Sequence, residues 1–206
     1  MQSDRTRIKI CGLRREADAV ILNRVRPDFA GFIFVRRRTR YVRPEDAARI
    51  RSVLDPGIKT VGVFIDEPVE NAAALCREGI ISLVQLHGSE DEEYIRHLWE
   101  QVSCWIIQAF RIRGPEDMER ALLSSADYLL LDAGAGDGKT FDWSLIPDLK
   151  RPWFLAGGLD PDNIGGAILR CRPWGVDVSS GVETDGFKDP EKIRRFIEAA
   201  RTATIR

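Results

Sequence analysis

Short apolar runs alternate with amphipathic stretches along the whole chain. The runs cover residues 7–11, 29–34, 59–65, 82–86, 105–109, 128–132, 153–156 and 175–178, and they are rich in Val, Ile, Leu and Phe. Each has the length of a strand. Helical candidates lie between them. Residues 44–54 open on Pro44-Glu45-Asp46, a favourable first turn, and residues 67–78, 90–101 and 115–123 have the same character. Asp160-Pro161 reads as an N-cap followed by a proline at the first helical position, opening a helix over 162–170. Asp189-Pro190 repeats the device before 191–200, and a short helix is expected after Phe141-Asp142-Trp143.

Eight strand–helix alternations in 206 residues predict an α/β fold: a single (βα)8 TIM barrel with a parallel eight-stranded core, one domain over residues 1–206. The alternative is an open doubly wound sheet. A dinucleotide-binding version would carry a glycine-rich turn after its first strand. Here that strand ends Ile10-Cys11-Gly12-Leu13, without the further glycines.

Composition narrows the function classes. Hydrophobic residues make up 44% and charged residues 31%, which excludes a disordered chain. The formal net charge of −1 gives no bulk field for nucleic acid or an anionic membrane, so neither is expected as a partner. The apolar runs fall far below the ~20 residues of a membrane span. Residues 1–9 are polar and lack the apolar segment of a secretory signal, so a cytoplasmic location is expected. Cys11, Cys76, Cys104 and Cys171 show no CxxC, and His87 and His97 have no metal-type spacing. Neither a disulfide framework nor a metal site is expected.

A barrel places its active site at the C-terminal ends of the strands. Strand alternation then sorts the side chains there. Ile8 and Ile10 suit the helix-facing side of the first strand, which leaves Lys9 and Cys11 facing the barrel. A cation beside Cys11 would lower its thiol pKa and make it a reactive base, whereas the plainer reading is a small buried hydrophobe. Leu129 and Leu131 likewise leave Asp132 inward. Its carboxylate is either chemically used or the cap of the following loop. Gly157-Gly158 and Ser179-Ser180-Gly181 follow strands seven and eight, the usual barrel phosphate site, although tight turns also need glycine. Gln85, His87 and Asp177 stand at strand ends facing the same mouth. The stretch from Gly134 to Thr140 resembles a P-loop only at Gly-Lys-Thr. Ala133 stands where the first glycine belongs, so it reads as a glycine-rich loop. Most of the arginines from Arg36 to Arg40 read as a solvated face, with one or more available for a substrate carboxylate.

At these residues the chain resembles the phosphoribosylanthranilate isomerase family over nearly its whole length. The matching stretches include Lys9-Ile10-Cys11-Gly12, Arg40-Tyr41, Val84-Gln85-Leu86-His87-Gly88, Leu130-Leu131-Asp132, Ala156-Gly157-Gly158-Leu159 and Val176-Asp177-Val178-Ser179-Ser180-Gly181-Val182-Glu183. The chain departs from the pattern just before Arg40, where it is arginine-rich. The resemblance implies a cofactor-free Amadori rearrangement of N-(5-phosphoribosyl)anthranilate in tryptophan biosynthesis, by a monomer or homodimer. It implies Asp132 as the acid that opens the ribose ring and Cys11 as the base that removes the C2 proton. It implies substrate binding by Arg40, Gln85, His87, Gly157, Gly158, Asp177, Ser179, Ser180 and Gly181, with Arg40 on the anthranilate carboxylate. The competing readings are another phosphate-binding barrel isomerase or epimerase, and a non-catalytic anion-binding barrel.

Overall fold

A computed structural model describes residues 5–132, 146 and 149–203. Strand β1 (Arg7–Cys11) is followed by β2 (Phe29–Ile33), β3 (Lys59–Phe64), β4 (Leu83–Leu86), β5 (Trp105–Arg111), β6 (Tyr128–Asp132), β7 (Trp153–Ala156) and β8 (Gly175–Val178). All neighbours pair in parallel, and β8 returns to β1 through registers such as Lys9↔Asp177, which closes the barrel. The helices among the described residues are α1 (Glu16–Val25), α2 (Pro44–Val53), α3 (Val69–Arg77), α4 (Glu92–Gln101), α5 (Pro115–Leu123), α6 (Ile164–Cys171) and α7 (Pro190–Thr202). None of them is long and apolar enough to cross a membrane. The expected loop at 134–140 and the helix after Trp143 lie outside the described residues.

The core has two shells, as strand alternation requires. Ile8, Ile10, Phe32, Leu129 and Leu131 pack between sheet and helices, while Phe29, Val61, Leu83, Tyr128, Leu130 and Phe154 fill the barrel interior. Burying each such side chain stabilises the fold by roughly 1.5–3 kcal/mol. The N-terminal end of the interior is plugged by aromatics. Phe154 meets Trp174 edge-on at 5.2 Å, and Tyr128 lies 4.9 Å from the same indole. A site-sized cavity opens at the opposite end.

Three local features depart from the sequence reading. Helix α1 has no small polar N-cap, since Arg15 holds that position. The Asp18 carboxylate folds back instead and accepts the N–H groups of Arg14 and Arg15 at 2.9 and 3.0 Å, and Ala19 and Leu22 bury the inner face. Helix α6 begins at Ile164, two residues later than expected, with Asn163 rather than Asp160 at its N-cap. Asp160 does accept from the amides of Asp162 and Asn163, so it organises the preceding turn. After β8, Ser180–Val182 forms a 3-10 turn that leads into a small antiparallel hairpin, β9 (Glu183–Thr184) with β10 (Phe187–Lys188). Two-residue strands leave no periodicity to read.

Candidate active site

A cavity of about 490 Å³ opens at the C-terminal ends of the strands. Cys11, Arg40, Gln85, His87, Asp132, Gly157, Gly158, Asp177, Ser179, Ser180 and Gly181 all line it, together with Arg37, Arg38 and Thr39. The structure thus brings together every residue that the sequence nominated. Arg36, Arg37 and Arg38 are exposed, as a solvated face requires, but two of them stand at the cavity mouth.

One wall is built on β1. Cys11 ends that strand and pairs in register with Gly31 of β2. A Cβ at position 31 would lie 2.7 Å from the Cys11 sulfur, so glycine is what leaves the thiol its room. Lys9, on the same inward face, is fully buried, and its Nζ donates to Oδ1 of Asp177 at 2.9 Å. Burial disfavours the Lys9 ammonium, but Asp177 and Cys11 beside it outweigh that cost and raise its pKa. It stays charged. The thiol behaves differently from the sequence expectation. The cationic neighbour is present, yet burial, with the Asp177 carboxylate adding to it, pushes the Cys11 pKa up by more than Lys9 and Lys188 pull it down. Depth in the barrel wins over proximity to charge.

This balance has a measurable sign. Ionised thiol appears only as pH rises through the Cys11 pKa, and Lys9 is what keeps that point from lying higher still. In Lys9→Met, alkylation of Cys11 by iodoacetamide, followed on its own peptide by mass spectrometry, is expected to need a higher pH than in the parent. An unchanged alkylation profile would show that Lys9 does not act on the thiol.

The opposite wall comes from β4 and β6. His87 Nε2 lies 3.7 Å from Oδ2 of Asp132, and its Nδ1 lies 3.1 Å from Nε2 of Gln85. Burial lowers the His87 pKa despite the nearby carboxylates of Asp132 and Asp177, so the ring is neutral at pH 7. An amide nitrogen can only donate, so Nδ1 accepts and Nε2 carries the hydrogen toward Asp132. That orientation leaves Gln85 Oε1 buried without a partner among the described residues. Such an orphan acceptor costs roughly 1–3 kcal/mol unless a ligand or water donates to it.

The third wall is the pair of loops after β7 and β8. Gly157 and Gly158 take φ values of 93° and 63°, a left-handed turn that side chains resist. Among the described residues, the amides of Gly158, Ser180 and Gly181 donate to no acceptor. The Ser179 hydroxyl is already committed, since it donates to the Cys11 carbonyl at 3.1 Å. Unused backbone donors on two adjoining loops form a cradle for an anion.

Arg40 enters from the β2 side. Its Nε and Nη2 grip the carboxylate of Glu183 at 2.7–3.1 Å. Glu183 and its second partner, Lys188, escaped the sequence reading. Glu183 lay inside a recognised stretch, but nothing local distinguishes it from a loop carboxylate. Among the described residues, no group of three His, Cys, Asp or Glu could hold a metal ion.

A closed parallel barrel with an anion cradle after its last two strands, facing a thiol and a carboxylate across one cavity, defines the phosphate-binding class of (βα)8-barrel enzymes. Comparison with known proteins narrows the class. The family model described as N-(5'phosphoribosyl)anthranilate (PRA) isomerase matches residues 8–199, so the chain belongs to that family. A relative named N-(5'-phosphoribosyl)anthranilate isomerase from Endomicrobium trichonymphae is 42% identical over 203 residues, covering 95% of this chain and 98% of the relative. The crystal structure of phosphoribosyl anthranilate isomerase from Thermotoga maritima superimposes with a TM-score of 0.89 at 40% identity, covering 96% of this chain and 99% of that one. A phosphoribosyl anthranilate isomerase in complex with reduced 1-(o-carboxyphenylamino)-1-deoxyribulose 5-phosphate superimposes with a TM-score of 0.87, at the same identity and coverage.

Proposed function

We infer that this barrel isomerises N-(5'-phosphoribosyl)anthranilate to 1-(2-carboxyphenylamino)-1-deoxyribulose 5-phosphate, a step of tryptophan biosynthesis. Membership of the isomerase family over residues 8–199 is the observation that carries this reading. The cavity supports it, because the substrate has an anion at each end and reacts in the middle. Its phosphate fits the free amides of Gly158, Ser180 and Gly181. Its aromatic carboxylate fits Arg40.

The chemistry gives each remaining group a task. Asp132 donates a proton to the furanose ring oxygen, and the C1–O bond breaks to leave a protonated Schiff base. Cys11, in its ionised form, then takes the C2 proton. The C2–H pair forms the C1=C2 bond and the C1=N pair moves to the nitrogen, which gives an enolamine. Tautomerisation yields the ketone. Atoms balance, since substrate and product are isomers. The task needs acid and base on opposite faces of the sugar, and β1 and β6 are separated by β7 and β8 around the closed barrel, so their ends reach the cavity from different walls. Neutral His87, with its N–H toward Asp132, orients that carboxyl. The orphan Oε1 of Gln85 suits a substrate hydroxyl or amine that donates to it.

The direct test is the loss of anthranilate fluorescence as enzymatically generated phosphoribosylanthranilate is consumed by purified protein. No decrease above the uncatalysed rate would refute the reading. A binding role for Arg40 has its own signature. Arg40→Ala is expected to raise KM by at least about tenfold with kcat changed little, because a carboxylate contact exists in ground and transition states alike. Arg36→Ala should leave KM near the parent value. Equal increases in both would mean a diffuse basic patch rather than a specific fork.

A further inference from the structure

A buried ionic cluster joins Arg40 to the loop after β8, and its carboxylate and lysine take no part in the steps above. Glu183 has a side chain only 6% exposed and accepts from two cations. Arg40 grips it through Nε and Nη2, and Lys188 Nζ donates to its Oε1 at 2.7 Å. Lys188 is itself 1% exposed at its side chain and donates to the Ser179 carbonyl at 3.0 Å. Ser179 in turn holds the Cys11 carbonyl. Glu183 and Lys188 are cross-strand partners in the β9–β10 hairpin, and Lys192 of α7 ties down the Glu183 carbonyl at 2.7 Å.

We propose that Glu183 is a positioning residue, which holds the Arg40 guanidinium ready for the anthranilate carboxylate and, through Lys188, couples that cation to the phosphate loop. The proposal rests on the reading of Arg40 given above. Burial lowers the Lys188 pKa, whereas the hydrogen bond to Glu183 raises that of Arg40, so the guanidinium is the firm cation that the cluster turns toward an anion. Burial raises the Glu183 pKa, but the hydrogen bonds from Arg40 and Lys188 outweigh it, and the net shift is downward. Glu183 is thus a fixed anion rather than a titrating one. The Nη1 corner of Arg40 donates to no acceptor among the described residues. A guanidinium held along one edge loses less side-chain freedom when its free corner meets a ligand, which strengthens binding without a new contact. Lys188, buried beneath, keeps the Ser179 loop at a set distance from that guanidinium.

A double-mutant cycle tests this, using KM and kcat of the parent, Glu183→Gln, Arg40→Ala and the double variant. Glu183→Gln is expected to raise KM about tenfold while kcat stays within about threefold. Added to Arg40→Ala, it is expected to raise KM no further, since the residue it positions is gone. An unchanged KM in Glu183→Gln overturns the proposal, and so does a lower KM, which would make Glu183 a competitor for Arg40. The same increase in both backgrounds also overturns it, because the role would then be structural and independent of Arg40. A parent-like KM in Arg40→Ala alone refutes the reading of Arg40 on a variant that leaves Glu183 intact. Should Glu183→Gln fail to fold, Glu183→Asp keeps the charge but withdraws it by one methylene. A KM rise of several-fold is then expected, and a parent-like KM overturns the proposal.

Discussion

Cys11→Ala is expected to abolish turnover while leaving the fold nearly intact. Cys11 sits at the end of β1, inside the cavity, and only 6% exposed. A methyl group fits where the sulfur was, since Gly31 already leaves space there. Without the thiolate, no group on that wall can take the C2 proton, because Lys9 stays charged and Asp177 is bound to it. Loss of a positioned base lowers kcat by at least about 10²-fold. The measurements are kcat from the fluorescence decrease and thermal melting of the purified variant. If the variant melts like its parent and keeps more than about a third of its kcat, Cys11 is not the base.

Asp132→Asn is expected to lose a comparable factor in kcat, at least about 10²-fold, with KM little changed. Asparagine keeps the shape of the side chain and its place beside the neutral His87. What it cannot do is hand a proton to the ring oxygen. The ring would then open only by the slow uncatalysed route. Normal kcat in this variant would mean that another group opens the ring. A large rise in KM with kcat preserved would recast Asp132 as a binding residue.

How much of this was legible beforehand differs from element to element. Strands β1, β6, β7 and β8 run as the apolar runs predict, because a strand buried on both faces shows itself in composition alone. Helix α5 also matches, since Pro115 announces its start. Helix α1 was missed because its cap is the Asp18 carboxylate folding back from within the first turn. The apolar pair Ala19 and Leu22 was the available signal. The start of α6 was misplaced because an Asp-Pro pair can cap a turn as well as a helix.

The sequence by itself determined the number and order of the barrel strands, and which side chains face inward at their ends. Both follow from a period of two along each strand, which is a local property. That was enough to nominate Cys11, Asp132 and the glycine loops. Only the tertiary structure decided which charges meet. Lys9 and Asp177 are 168 residues apart, and Arg40 and Glu183 are 143 apart. Each pair forms because the barrel closes β8 onto β1 and brings the hairpin beyond β8 against the loop after β2. The direction of the Cys11 shift was likewise beyond the sequence, which supplies the neighbouring cation but not the depth. Desolvation depends on everything packed around a group, and that is fixed only when all eight strands have closed.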